Sequence, residues 1–209
     1  MAWNPTRATQ TQNPTVESFE SGNLDAWNDD TDQFTIEDEA NLSFDAIDGS
    51  NVVQSTEDNA QIYSDSGLDN YPSKGTESEL YFRYDSAVEV RAYFGYDSSV
   101  DEGYMTAVDA TVDNAYIFRY DNGSATLLES VNVYTSADTW YKIVITWDDG
   151  TLGGADNDIT VGVEEASGSA LDSLSVNDGT YPNQTGVGLR QDENTGPVLT
   201  IDNWQITRS

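Results

Sequence analysis

Residues 140–150 read WYKIVITWDDG. Side chains of two kinds alternate along this stretch, which then stops at an Asp-Asp-Gly corner. Tyr141, Ile143, Ile145 and Trp147 fall on one face, and Trp140, Lys142, Val144 and Thr146 on the other. A period of two is the signature of a β-strand. Apolar residues on both faces predict a central strand of a large sheet, partly covered on each side. The carboxylates at its end are expected to belong to a solvated surface.

The same pattern continues outward in both directions. From Val16 onward, short alternating segments are separated by clusters of Asp, Asn, Gly and Ser. Strands are predicted near 16–20, 33–37, 51–55, 60–64, 78–84, 87–95, 103–110, 114–121, 125–134, 140–147, 158–165, 170–176, 185–190 and 198–207. Asp121-Asn122-Gly123 predicts a type I′ hairpin, because Asn-Gly accepts the positive φ this turn requires. Ser167-Gly168-Ser169 has the same role between 158–165 and 170–176. No segment sustains a helical period over three turns. So many short strands at this spacing predict an all-β, two-sheet antiparallel sandwich. Residues 16–209 are expected to form one domain, and residues 1–15 an extended N-terminal arm.

Charge narrows the possible functions. The 209-residue chain carries 38 acids against 8 bases, for a formal net charge of −30. Its only lysines are Lys74 and Lys142. The acids are spread over nearly every loop, unlike the single block of a disordered tail. In molar salt the Debye length falls to about 3 Å and screens such a coat. In dilute buffer the coat repels itself. A halophilic source is therefore expected; an acidic, calcium-rich secreted protein is the other reading. Nucleic-acid binding needs a basic footprint that is missing here, and an anionic membrane would repel the chain. No apolar run reaches the 18 residues of a membrane span. The opening MAWNPTRATQTQNPT has no apolar segment of the secretory type. With no cysteine and no histidine, thiol chemistry, thiolate metal sites and a Ser-His-Asp triad are excluded.

Certain motifs carry a resemblance. WYKIVITWDDG is followed by a strand and hairpin, then by GVGLR (186–190) and by IDNW (201–204); near the start, FESGNLDAW (19–27) precedes FTI (34–36). This order resembles the concanavalin A-like lectin/glucanase superfamily in its laminin-G-like forms, over about residues 16–207 and most clearly at 140–206. The resemblance implies a jelly roll whose first strand pairs near the last. It also implies that Glu20 and Asp202 approach each other, with Glu17 as a third ligand, around a structural Ca2+ ion. Oxygen-only ligands suit this hard cation. Asp148-Asp149 with Asp156-Asn157-Asp158 is a second acidic cluster weighed for metal.

The related glucanases carry a Glu-x-Asp-x-x-Glu strand, and this chain has no Glu-x-Asp. A non-enzymatic protein is expected. Sugar surfaces use exposed aromatic faces rimmed by polar groups. Trp27, Tyr71, Tyr104 and Tyr181, beside Asp and Asn in loops or at strand ends, are the candidate platform. Sequons at Asn41, Asn122 and Asn183 are no more than chance supplies. The expected role is a lectin-like structural or adhesion protein on the virion surface of a haloarchaeal virus, as a turret, spike or tail component. It would bind host glycans, form a closed homo-oligomer and dock on other virion subunits through residues 1–15. A secreted carbohydrate-binding module or adhesin of a halophilic cell is the alternative, and a glucanase-like hydrolase comes last.

Overall fold

A computed structural model describes residues 14–27, 31–192 and 198–208. Fourteen strands are present among them: β1 (Thr15–Glu17), β2 (Phe34–Asp38), β3 (Asn51–Ser55), β4 (Gln61–Ser64), β5 (Thr76–Tyr84), β6 (Glu89–Asp97), β7 (Glu102–Asp109), β8 (Asn114–Asp121), β9 (Ser124–Asn132), β10 (Tyr141–Asp149), β11 (Asp156–Glu165), β12 (Ala170–Asn177), β13 (Val187–Asp192) and β14 (Leu199–Arg208). One sheet of eight strands has the order β12-β11-β10-β5-β14-β3-β2, with β1 also on β14. The other, of six strands, has the order β4-β13-β6-β7-β8-β9. All pairings are antiparallel, and the expected sandwich is the observed fold.

The strand that opens the sequence argument is β10, between β5 and β11. Its inner face buries Tyr141, Ile143, Ile145 and Trp147 against Phe94, Ile117 and Leu189 of the other sheet, in one core. Each such side chain contributes roughly 1.5–3 kcal/mol of burial. The outer face is covered differently. Lys142 lies between Glu79 at 2.6 Å and Glu164 at 3.1 Å, so an ionic ladder covers the middle of the strand. At the Trp140 end, residues 42–50 fold over the sheet: the indole donates to the Asp45 carbonyl at 3.0 Å and meets the Phe44 ring edge-on.

Local chemistry sets the turns. Asn122 and Gly123 both have positive φ, 49° and 76°, as type I′ requires. The first strand is shorter than expected, ending at Glu17 instead of residue 20. The Glu17 carboxylate accepts the Ser18 and Phe19 N–H groups, and Phe19 sits at φ 60°. The chain thus bends out of the sheet there. Pro14 and Thr15, assigned to the arm from sequence, lie along β14: the Pro14 carbonyl accepts the Ile206 N–H at 2.8 Å and Thr15 pairs with Gln205; residues 1–13 of the expected arm lie outside the described residues.

The Asp-Asp-Gly corner corrects another expectation. Asp149 is exposed, whereas Asp148 is buried. Asp148 accepts the N–H groups of Gly150, Leu152 and Gly154. Burial alone would raise its pKa, but these donors outweigh it and hold the carboxyl below its usual value. Asp148 organises the 150–154 loop instead of joining the solvated coat, and both its oxygens are occupied by backbone donors.

Candidate functional site

Strand β14 has β5 along one side. Along the other, β3 pairs with Thr200 and Ile201, and β1 then takes over at Trp204 and Gln205. Asp202 and Asn203 lie at this change of partner, in a bulge where Asn203 has φ 39°. Ile201 points into the core, so Asp202 points outward, yet it is fully buried because the 42–50 segment roofs it. Its Oδ2 accepts the Ile47 N–H at 2.6 Å and the Asp48 N–H at 3.0 Å. Glu20 holds the other end of the same segment, accepting from Ser50 N at 3.0 Å and Asn51 N at 2.7 Å. The first and last strands therefore do meet, and Glu20 and Asp202 grip one loop.

Whether these residues suit a cation can be read from their oxygens. Asp202 Oδ1 and Asn203 Oδ1 are both buried without a hydrogen-bond partner. Burial pushes the Asp202 carboxyl up to about 6, against the two N–H donors that pull it down. An orphan carboxylate oxygen and, on the next residue, an orphan amide oxygen are hard donors of the kind calcium takes. The fit is partial. Glu20 Oε1 already accepts the Ser50 and Asn51 N–H groups, while its Oε2 meets only the Ser50 hydroxyl, at 3.5 Å. Glu17 is occupied by Ser18, Phe19 and the Trp27 indole. Among the described residues no group of three acidic side chains is gathered for a metal.

The four aromatic candidates do not form one platform. Trp27 is 4% exposed and stacks on Phe19. Tyr104 is fully buried; its hydroxyl donates to Asp178 and accepts the Tyr181 N–H. A ring sealed in the core has no face for a sugar. Tyr71 and Tyr181 are half-buried. The Tyr71 hydroxyl accepts from Gly67 and Leu68, and the Tyr181 hydroxyl donates to Asp121 at 2.6 Å. Tyr104 and Tyr181 do come together, ring edge to ring face at 6.0 Å, but as part of a brace. Arg119 completes it, reaching Asp178 at 2.7 Å and Asp121 at 3.0 Å.

A different aromatic surface lies on the outer face of the six-stranded sheet. In β6, Val90, Ala92 and Phe94 enter the core, so Arg91 and Tyr93 face outward. In β8, Ala115 and Ile117 enter the core, so Tyr116, Phe118 and Tyr120 face outward. Cross-strand register arranges these residues in rows. One row runs Gln61, Arg190, Arg91, Ala107, Tyr116; the next runs Tyr63, Gly188, Tyr93, Met105, Phe118, Leu127. Tyr63, Tyr93, Tyr96, Met105 and Ala107 form a buried cluster separate from the main core, with Tyr116, Phe118 and Tyr120 packed on it.

Small residues make this floor possible. A Cβ on Gly188 would lie 2.3 Å from the Tyr63 ring, so only glycine lets that ring lie flat. Tyr63 then stacks on Tyr96 and meets Tyr93 edge-on, each at 5.4 Å. Tyr116, Phe118 and Tyr120 remain half-buried, and Leu127 is 51% exposed. On β8 the Tyr116 and Phe118 ring centroids are 5.6 Å apart, with the rings tilted by 43°. The phenols of Tyr63, Tyr93 and Tyr120 belong to this face, and the Tyr63 hydroxyl donates to Gln61 at 3.2 Å. Burial raises all three, Tyr93 to about 12, and so keeps them protonated as donors. At the end of this face a cleft of about 370 Å³ opens between Tyr96, Asp65, Asp97 and Gln184.

No protein-family profile matches the chain, and no curated protein sequence matches it. Solved structures do match. The carbohydrate-binding module CBM66 from Bacillus subtilis has a TM-score of 0.53 at 14% identity, over 83% of this chain and 95% of that one. The exoplasmic/lumenal domain of VIP36, in its Ca2+/Man3GlcNAc-bound form, has a TM-score of 0.59 at 9% identity, over 85% of this chain and 84% of that one. A xylan β-1,4-xylosidase from Bacillus halodurans has a TM-score of 0.53 at 10% identity; the match covers 100% of this chain but 41% of that one. Identities this low bear on the fold alone, and the fold is the lectin-like jelly roll.

Proposed function

We propose that the protein is a non-enzymatic carbohydrate-binding module and that the outer face of its six-stranded sheet is the glycan surface. The observation that carries this reading is the second aromatic cluster. Its Tyr116, Phe118 and Tyr120 rings stand on a sheet face away from the core and remain open to solvent in part. Half-open rings on a rigid floor suit the apolar face of a pyranose, and the phenols supply polar contacts. The likeness to a carbohydrate-binding module and to a glycan-bound lectin domain supports the same role. A binding role without catalysis is supported by the carboxylates beside the rings. Glu89 and Asp192 are both engaged with Arg91, at 2.8 and 2.6 Å.

Calcium is proposed as a structural ion at Asp202 Oδ1 and Asn203 Oδ1, where it would neutralise a buried charge and fix the 42–50 roof. The location is proposed from the acidic coat: the surface of a haloarchaeal virus particle, with residues 1–15 contacting other virion subunits in a homo-oligomer. A secreted cellular module is the second reading, and the same coat favours it equally. Electron microscopy of particles in brine separates the two, since a virion location requires density for this chain on the particle.

The glycan reading is tested on a glycan array in molar salt with the wild-type chain and with Phe118→Ala and Tyr116→Ala. Binding by the wild type that each substitution weakens supports it. Binding that neither substitution affects would move the site elsewhere, and no binding to any glycan would refute the role.

A further inference from the structure

The aromatic face also carries two of the chain's 8 basic residues. Arg190 and Arg91 are directly opposite on β13 and β6. Like charges in that position destabilise a sheet. One row further, Asp192 and Glu89 are also opposite each other, and the four charges could in principle cancel in pairs. They do not share evenly. Arg91 takes both acids: Nε and Nη2 donate to Glu89 at 3.0 and 2.8 Å, and Nη2 lies 2.6 Å from Asp192. Arg190 reaches Asp192 only at 3.5 Å, and its Nε is buried without any acceptor.

A buried donor on a charged group is costly to leave unpaired and is rarely left so. On the same face the Tyr63 hydroxyl is already engaged, donating to the Gln61 oxygen. The Arg190 side chain is 28% exposed, and an oxyanion reaching it supplies several acceptor sites at once. In a chain of net charge −30, such an anion would be repelled at long range, but molar salt cuts the Debye length to about 3 Å. Contact-range pairing with a guanidinium then decides the outcome.

We propose that the glycan taken by this face is an anionic chain, the carboxylate or sulfate oxygens of one sugar held by Arg190 on β13 while another sugar of the same chain lies on Tyr116, Phe118 and Tyr120 of β8, three strands away at about 4.8 Å per strand. Arg91 is the anchor that keeps Glu89 and Asp192 away from the ligand. The assignment deepens the glycan-binding reading and rests on it.

The test is titration calorimetry in molar NaCl with four polymers: polygalacturonate, its methyl ester, a sulfated galactan and the desulfated galactan. The expected result is that one anionic polymer binds at least about 10-fold tighter than its neutral twin, about 1.4 kcal/mol. Which pair shows the preference identifies the anion as carboxylate or sulfate. Arg190→Gln should erase the preference. Arg190→Lys, which keeps the charge but loses the planar fork, should retain only part of it. Unfolding curves of both variants in the same salt check that they are folded. Equal affinity for charged and neutral twins, or a preference that survives Arg190→Gln in a folded protein, overturns the anionic assignment and leaves the glycan site standing. Failure of all four polymers to bind counts against both.

Discussion

Asp202→Asn probes the roofed face of the larger sheet most sharply, because its effect should change sign with the solution. The carboxyl titrates at 3.8 when unperturbed and at about 6 in the fold, through burial. That gap, at about 1.4 kcal/mol per pH unit, makes the ionised group cost roughly 3 kcal/mol at neutral pH when no cation is bound. A raised carboxyl destabilises the fold wherever it is ionised. The penalty is therefore complete above about pH 6, shrinks as pH falls toward 3.8, and vanishes below. Asparagine keeps the shape and one acceptor for the Ile47 and Asp48 N–H groups, and it removes the charge. Its amide N–H groups then occupy the position of the orphan oxygen, which costs about 1–3 kcal/mol in the other direction. The net expectation in chelator at pH 7 is a variant as stable as wild type or up to about 2 kcal/mol more stable. In calcium the order reverses. Saturation at about 100 times Kd stabilises the wild type by about 2.7 kcal/mol, and the variant gains little. Urea unfolding in molar NaCl, at pH 7 and pH 5, with EDTA or with millimolar CaCl2, reads all of this. A wild type indifferent to calcium, together with a variant several kcal/mol less stable in EDTA, would refute both the desolvated charge and the ion.

The brace and the floor yield further expectations. Tyr104→Phe removes the hydroxyl shared by Asp178 and Tyr181; denaturation should show a loss of about 1–2 kcal/mol, with glycan binding intact. Gly188→Ala places a methyl group 2.3 Å from the Tyr63 ring. It should cost about 1–3 kcal/mol and abolish glycan binding, as calorimetry would show. Lys142→Met leaves Glu79 and Glu164 facing each other without their shared ammonium. Its thermal midpoint should fall below that of wild type, and the gap should be widest in dilute buffer, where the net charge of −30 is least screened.

Much of the architecture was legible before any coordinates. Each of the fourteen expected strands has its counterpart, because a period of two records which side of a sheet each residue occupies. The Asn122-Gly123 hairpin was legible for a local reason, the φ values those two residues tolerate. Pairing of β1 with β14 is implied by the resemblance to the concanavalin A-like superfamily and is observed. The calcium candidates Glu20 and Asp202 do converge on one loop, although Glu20 turns to backbone donors.

The four aromatic candidates do not assemble into one platform, and the reason is specific. By sequence Tyr104 reads as a strand-end ring, yet it shares its side of β7 with Val108, and both enter the core. The rings that do stand outward, Tyr93, Tyr116, Phe118 and Tyr120, were hidden inside strands whose second apolar face went unused. The signal was present: Arg91 and Tyr93 alternate with Val90, Ala92 and Phe94, just as Lys142 and Val144 alternate with the buried residues of β10. What the pattern lacked was a way to tell an outward aromatic face from a covered one.

Alternation, turn chemistry and charge are properties of neighbouring residues, so the chain's order alone specified an acidic all-β sandwich, its strands and its tight turns. The row joining Tyr63 to Phe118, the opposition of Arg190 and Arg91, and the orphan oxygen of Asp202 depend on register between segments far apart in the chain and on which groups lose water as the layers close. Those are non-local quantities. No window of sequence contains them, and they arise only when the sheets are assembled.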